Sequence, residues 1–344
     1  MCISMSYWLG RQALVSYSQE EGRFGDMMME NPVNISQERW NSGTYLTIPK
    51  ENGCLCSPVI IDIRNTYLRF SPEVRASASR DVELLKKTFR KLGFSDPTII
   101  SDTDSSLYSV DNLKEKLASI ARSSKFTIDA EIFLLVVLAF GEYGYFYFPN
   151  YPNSDQRKGP TPKFSTALLL SQFNGNNCRN LVLKPKIFLV QTCDAYLKHE
   201  DKSQFSGRAT IPPSSLYRVP LEADILLYHS EVSGGYTSKM KKETRESLGS
   251  VIDQGDRSGG GDERETPACQ FVYTLYNEVE ALAGQQNEFE LTDLILGVNK
   301  SLMEFIDKGH YKSDEHNKPW NIEPMIPICV DQLTKRLVLG TNTG

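Results

Sequence analysis

"IFLLVVLAF", residues 132–140, places nine apolar residues in a row between Glu131 and Gly141. A helix that crosses a bilayer needs about 20 such residues, so the run is too short for a membrane span. An unbroken apolar strand belongs in the middle of a parallel sheet that is covered on both faces. The neighbouring segments fit that setting. Upstream, "PVIIDI" (58–63) reads as a strand behind a proline, and "SRDVELLKKTFRKLGF" (79–94) as an amphipathic helix. Ser79 serves as its cap, Val82, Leu85, Phe89 and Leu92 share one face, and Gly93 stops it. "TIIS" (98–101) is a short strand, and "SVDNLKEKLASIAR" (109–122) repeats the helix with Ser109 as cap and Val110, Leu113, Leu117 and Ile120 in line.

Downstream the alternation continues through a helix at 163–173, strands at 186–192 and 223–229, helices at 269–283 and 291–307, and a last strand around 326–339. Strands alternating with amphipathic helices imply an α/β protein with a mostly parallel sheet and helices on both faces.

The totals exclude several classes. A chain of 344 residues can bury a sizeable core. A net charge of -5 argues against nucleic acid as a partner, because phosphate binding draws on surplus Lys and Arg. The N-terminus has no positive region ahead of a long apolar core, so no signal peptide is expected, and the protein is read as cytoplasmic. Seven cysteines without framework spacing fit reduced thiols. Cys54 and Cys56 lack a second ligand pair, so no metal is expected. The Gly259–Gly261 run lacks the Lys-Ser/Thr pair of a phosphate loop, and no cofactor is called for. The Asn34 and Asn299 glycosylation triplets read as chance. Residues 1–57 read as a poorly ordered leader, 194–220 as a long surface connection, and 241–268 as a charged, glycine-rich insert with too few apolar residues for a core.

In open α/β sheets functional groups collect beyond the carboxyl ends of the strands. "KIFLVQTCDAYLKHE" (186–200) carries a strand up to Gln191, Thr192 and Cys193. Taken alone, Cys193 is either a catalytic nucleophile or a small buried hydrophobe, as most free cysteines are.

An ordered series of motifs adds to this. "FNGNNC" (173–178), "KPKIFLVQTCDA" (184–195), "VPLEADILLYHS" (219–230), "LILGVNK" (294–300) and "IPICVDQLTKRL" (326–337) resemble, in sequence order, the landmarks of the caspase family. The likeness covers nearly everything after the leader. It implies a three-layer αβα caspase-like fold around a mostly parallel six-stranded sheet, with 58–205 as a large-subunit-like region and 206–344 as a small-subunit-like region of one domain. It places Cys193 at the nucleophile, and Gly141 where a backbone amide joins that of the cysteine to bind the oxyanion. Arg75, Gln191 and Lys239 fall at the pocket for a substrate aspartate, with Lys239 standing where the family has arginine.

The decisive departure is at the general base. Where the family has Ser-His-Gly, this chain has Ala139, Phe140 and Gly141. A cysteine peptidase needs its histidine to raise the thiolate fraction and to protonate the departing amine. Of the four histidines, His229 lies in a strand, the resemblance puts His310 and His316 far from the cysteine, and His199 in the 194–220 connection is the one candidate substitute. Asp194, where the family favours Arg, sets a negative charge beside the thiol. Within 194–220 only Asp194 and Asp201 offer an aspartate for maturation cleavage. The resemblance therefore implies an invertebrate-type, catalytically inactive caspase homologue, a pseudoenzyme that modulates apoptosis. Its expected partner is an active caspase paralogue or a second copy, joined through the C-terminal strand, and an acidic peptide is a further expected ligand. The alternative is a weakly active cysteine endopeptidase that cleaves after aspartate with His199 or a water relay as base.

Overall fold

A computed structural model describes residues 43–45, 47, 54–68, 71–75, 77–103, 109–142, 144–148, 162–194, 223–233, 268–307 and 327–341. The connection after Asp194, Lys239, the 241–268 insert up to its last residue, Asn34, and His199, His310 and His316 lie outside the described residues.

In chain order, β1 (Cys54–Cys56) and β2 (Val59–Asp62) lead into a hairpin of β3 (Asn65–Leu68) and β4 (Ser71–Val74). Helix α1 (Ala78–Lys91), β5 (Thr98–Ser101), α2 (Val110–Arg122) and the one-turn α3 (Ser124–Thr127) follow. Next come β6 (Ala130–Glu142), β7 (Tyr145–Tyr147), β8 (Lys163–Ser165), α4 (Thr166–Ser171), β9 (Lys186–Asp194) and β10 (Ile225–Ser233). The chain continues with α5 (Gln270–Gln285), β11 (Glu288–Glu290), α6 (Leu291–Asp307), β12 (Ile328–Asp331) and β13 (Val338–Gly340).

The apolar run becomes β6, a central strand. The main sheet runs β12-β10-β9-β6-β2-β5, with every neighbouring pair parallel except β10 and β12. Residues 135–139 have no solvent exposure, as a strand covered on both sides requires. Alternation along each strand sorts the side chains into two cores. On one face Ile60, Leu134, Val136, Leu189 and Tyr228 meet Leu85 and Phe89 of α1, Phe271 and Val279 of α5, and Val298 of α6. On the other Ile61, Leu135, Val137, Phe188 and Val190 meet Leu113 and Leu117 of α2 and Leu169 of α4. The expected three-layer α/β fold with a six-stranded, mostly parallel sheet is thus present, widened by β1, β7 and β8 at the ends of β6.

Several local expectations change. Ser77, not Ser79, precedes α1, and the Ser79 hydroxyl instead accepts from Arg64 NH1 at 3.1 Å. Ser109 does cap α2, accepting from the Asn112 amide at 3.1 Å. The helix read at 163–173 begins as β8, because Lys163–Ser165 pair with β7, and only Thr166–Ser171 coil. The final strand splits in two: Asp331 Oδ1 caps a turn by accepting from the Leu333 amide at 2.9 Å, and β13 pairs with β11 in a separate ribbon. Ordered structure also reaches into the stretch read as a leader, where β1 pairs with the start of β6, Thr44 bridges to Arg336, and Tyr45 is buried. The Asn299 triplet faces inward, its Oδ1 accepting the Tyr228 hydroxyl at 2.8 Å. Among the described residues no helix is long and apolar enough to cross a membrane.

Candidate active site

Cys193 does not stand at a free strand tip. β9 continues to Asp194, and Cys193 lies in register between Phe140 of β6 and Val232 of β10. Register partners in parallel strands project to the same face, so the Phe140 ring and the thiol lie side by side. Tyr147 of β7 closes over them. These three residues form a cluster of their own, with Cys193 3 % exposed, Phe140 6 % and Tyr147 0 %. The sulfur is walled by two aromatic rings.

The same hairpin explains Gly141. It pairs with Phe146 across the β6–β7 turn, where Gly144 adopts φ +84°. A Cβ at 141 would collide with the Tyr145 carbonyl oxygen and come within 2.9 Å of Phe146 Cα and Thr192 Cγ2. Packing alone demands glycine there.

Arg75 also neighbours the thiol, and it is not a solvated charge. Its side chain is 2 % exposed. NH1 donates to Asp62 Oδ1 at 2.9 Å and to the Leu138 carbonyl at 2.9 Å, and NH2 donates to Asp81 Oδ2 at 2.7 Å. Asp81 is shared further: its Oδ2 accepts the Ser77 hydroxyl at 2.8 Å and its Oδ1 accepts the Cys269 amide at 2.6 Å. Burial works to lower the Arg75 pKa, but Asp81, with Cys193 and Asp62 behind it, reverses this and holds the guanidinium charged. Arg64 shares Asp62 from outside, its Nε donating to Oδ2 at 2.6 Å, so the guanidinium of Arg75 is engaged by Asp81 and by one oxygen of Asp62. Gln191, 1 % exposed, spends its Nε2 on the Thr192 carbonyl at 3.0 Å. Gln191 Oε1 and Arg75 Nε are buried without a well-formed hydrogen bond.

Burial pushes the Cys193 thiol up to about 11. The Arg75 charge pulls it down, Asp81 pushes it back up, and the hydrogen-bonding influence of Arg75 and Gln191 recovers only part of the difference. At neutral pH roughly one thiol in ten thousand is then ionised. Cys269, at the start of α5, is likewise raised, by burial first and Asp81 second.

His229 is the one histidine among the described residues, and it lies on the wrong face. Its Nε2 is 2.9 Å from Thr192 Oγ1. Thr192 and Cys193 are adjacent on a strand and so point to opposite sides of the sheet. Burial lowers the His229 pKa to about 4, so the ring is neutral and enclosed.

The structure therefore brings Cys193, Phe140, Gly141, Arg75 and Gln191 together. Sequence reasoning missed Asp62, Asp81, Tyr147 and Cys269. Asp62 carried a readable signal, a carboxylate closing the apolar strand "VIID" that must find a cation if buried. Asp81 carried none beyond a favourable charge in the first turn of a helix, and Tyr147 reaches the thiol only because of the hairpin. Among the described residues no group of His, Cys, Asp and Glu could hold a metal.

A parallel αβα sheet with a cysteine near the carboxyl end of a central strand, beside a glycine hairpin, defines a cysteine-peptidase type of fold. Residues 59–312 match the sequence model of the caspase domain, and the chain belongs to the caspase family. It is 28 % identical to Caspase-7 of Gallus gallus over 81 % of this chain and 75 % of that one. It is 24 % identical to Caspase-3 of Mus musculus over 81 % and 82 %. Among solved structures, Caspase-1 from Spodoptera frugiperda shares the fold with a TM-score of 0.55 at 20 % identity, over 88 % of this chain and 96 % of that one.

Three outcomes are expected from this geometry. Iodoacetamide at pH 7.5 modifies Cys193 in the native chain at least about 300-fold more slowly than in the unfolded chain, the ratio of thiolate fractions alone; mass spectrometry of the Cys193 peptide measures it. Arg75→Met leaves Asp81 as an uncompensated buried charge and Asp62 with Arg64 alone, and costs about 3–5 kcal/mol of stability in urea unfolding. His229 is stabilising in its neutral form, because its folded pKa lies below the unfolded value. That contribution, worth roughly 3 kcal/mol, is present above pH 6.5 and lost as pH falls towards 4. In His229→Gln the fall in stability across that window is correspondingly shallower.

Proposed function

We propose that this chain is a caspase homologue without peptidase activity of its own, acting in the cytoplasm to modulate apoptosis by pairing with an active caspase. The observation that carries the reading is the buried Phe140 ring against Cys193. A phenylalanine can neither accept the proton of the thiol nor return one to a leaving amine, and losing such a group costs about 10²–10⁴ in rate. Burial adds to the deficit by keeping the sulfur protonated.

Pairing is supported by β12. Among the described residues it ends the sheet, bonded to β10, and its Ile328, Cys329 and Val330 are half-exposed. A strand at the end of a sheet is a place where a second strand can be added. The family resemblance puts the dimer contact at this strand. A bound neighbour is then biased through its own conformational equilibrium, with no chemistry on this side. The partner is an active paralogue or a second copy.

The competing reading, a weakly active endopeptidase cutting after aspartate, is favoured by one observation: Arg75 and Gln191 still flank the thiol. Capture of an acidic peptide without cleavage draws on the same residues and is weakened by the two carboxylates that already hold Arg75.

Purified chain incubated with a fluorogenic aspartate peptide decides between them. The expected turnover is at least about 10²-fold below that of an active caspase. Phe140→His alone is expected to recover only a minor part, because a new imidazole leaves the buried thiol and the Arg75 network unchanged. Mixing with an active paralogue is expected to alter that enzyme's rate. Turnover that Cys193→Ala abolishes would overturn the proposal, as would the absence of any association at micromolar concentration.

A further inference from the structure

Residues 43–45, ahead of β1 in the sequence, bond to the segment that follows β12. The Tyr45 amide donates to the Arg336 carbonyl at 2.9 Å, and the Arg336 amide donates to the Gly43 carbonyl at 3.0 Å. This short parallel bridge seats the Tyr45 ring in the interior, 5 % exposed. The hydroxyl at its end donates to Asp224 Oδ1 at 2.6 Å and accepts the Thr334 amide at 3.0 Å. Thr334 Oγ1 donates to the same carboxylate oxygen. Burial, with Asp224 next, holds the Tyr45 pKa above its ordinary range, so the hydroxyl remains a donor.

Asp224 is itself unusual. It is 2 % exposed and adopts φ +70°, a conformation that costs a residue with a side chain. Surrounding bonds hold it there. The Asp224 amide donates to the Gln332 carbonyl at 2.9 Å, the Gln332 amide to the Ile225 carbonyl at 2.8 Å, and the Lys186 amide to the Asp224 carbonyl at 2.8 Å. One buried residue, through its carboxylate and its backbone, thereby joins the start of β9, the start of β10, the turn that follows β12, and the segment at 43–45.

We propose that Tyr45 is an intramolecular latch on the edge strand. By bridging Asp224 and Thr334 it fixes the turn after β12 and keeps Ile328–Asp331 flat and in register for a neighbouring strand. Displacing residues 43–45 frees that turn and disorders the edge. The segment ahead of the sheet is thus a control element for the pairing surface. The link to pairing rests on the reading under Proposed function, whereas the latch itself stands on the bonds just described.

Hydrogen exchange of the full-length chain tests the latch directly. Tyr45→Phe keeps the ring and removes the hydroxyl. The expected result is amide exchange at least about tenfold faster in peptides covering 327–337 and 223–226, the scale of one lost hydrogen bond to a charged acceptor. Exchange in 132–140 stays unchanged. Thr334→Val, which leaves Tyr45 intact, is expected to act in the same direction and less strongly. Exchange within about twofold of wild type in both variants overturns the latch. Sedimentation of the same proteins, alone and with an active caspase, reads the consequence: association about tenfold weaker in Tyr45→Phe supports it. Faster exchange with unaltered association overturns the role in pairing. If the wild-type chain associates with nothing, the pairing reading fails, and the exchange measurement still decides the latch.

Discussion

Arg75 and Asp81 form the internal ion pair on which the carboxyl end of the sheet depends. The guanidinium reaches Asp62 at the end of β2 and the Leu138 carbonyl on β6, while Asp81 ties α1 to the first amide of the α5 region at Cys269. Four elements far apart in sequence are bound through two side chains. Removing water from charges is costly, and a pair of this kind holds only when nearly every donor and acceptor is matched. Here Asp81 uses both oxygens. The arrangement gives Arg75 a structural role in joining these elements.

That network also sets the state of the thiol. Cys193 sits between a cation that would ionise it and a dry, aromatic wall that forbids ionisation, and the wall prevails. In an active cysteine peptidase the same sulfur needs a neighbour that exchanges protons, and a positive charge that cannot let go of its protons does not serve. The sheet separates Cys193 from His229 by construction, since an odd step along a strand changes face. The cysteine is thus held within packed core, 3 % exposed. The outer edge at β12, by contrast, remains half-exposed.

Much of the architecture was legible in the sequence because periodicity reports burial. The run at 132–140, the Ser109 cap and the helix at 291–307 all appear where their patterns place them. Failures occurred where local pattern is silent about distant pairing. Lys163–Ser165 look helical until β7 recruits them, and the stretch after Ile326 breaks because Asp331 caps a turn. Tyr45 lies in a polar segment with no period, and partners far away in sequence, the Asp224 carboxylate 179 residues on and the 334–336 segment, give it a place. At the site, motifs pointed to Cys193, Phe140, Gln191 and Arg75, which the structure places close together, but they did not show that Arg75 is buried against two carboxylates. Single-residue charge says nothing of whether a partner such as Asp62 or Asp81 is waiting inside.

Gly141 carries an evolutionary consequence. Because the backbone of its own hairpin leaves no room for a methyl group, even alanine is barred there by geometry that is indifferent to chemistry. A lineage that abandoned catalysis would be free to exchange the imidazole next door for a ring that packs, yet would go on purging every replacement of the glycine. The glycine at this position is therefore accounted for by crowding in the hairpin, and its presence alone is not evidence of catalysis.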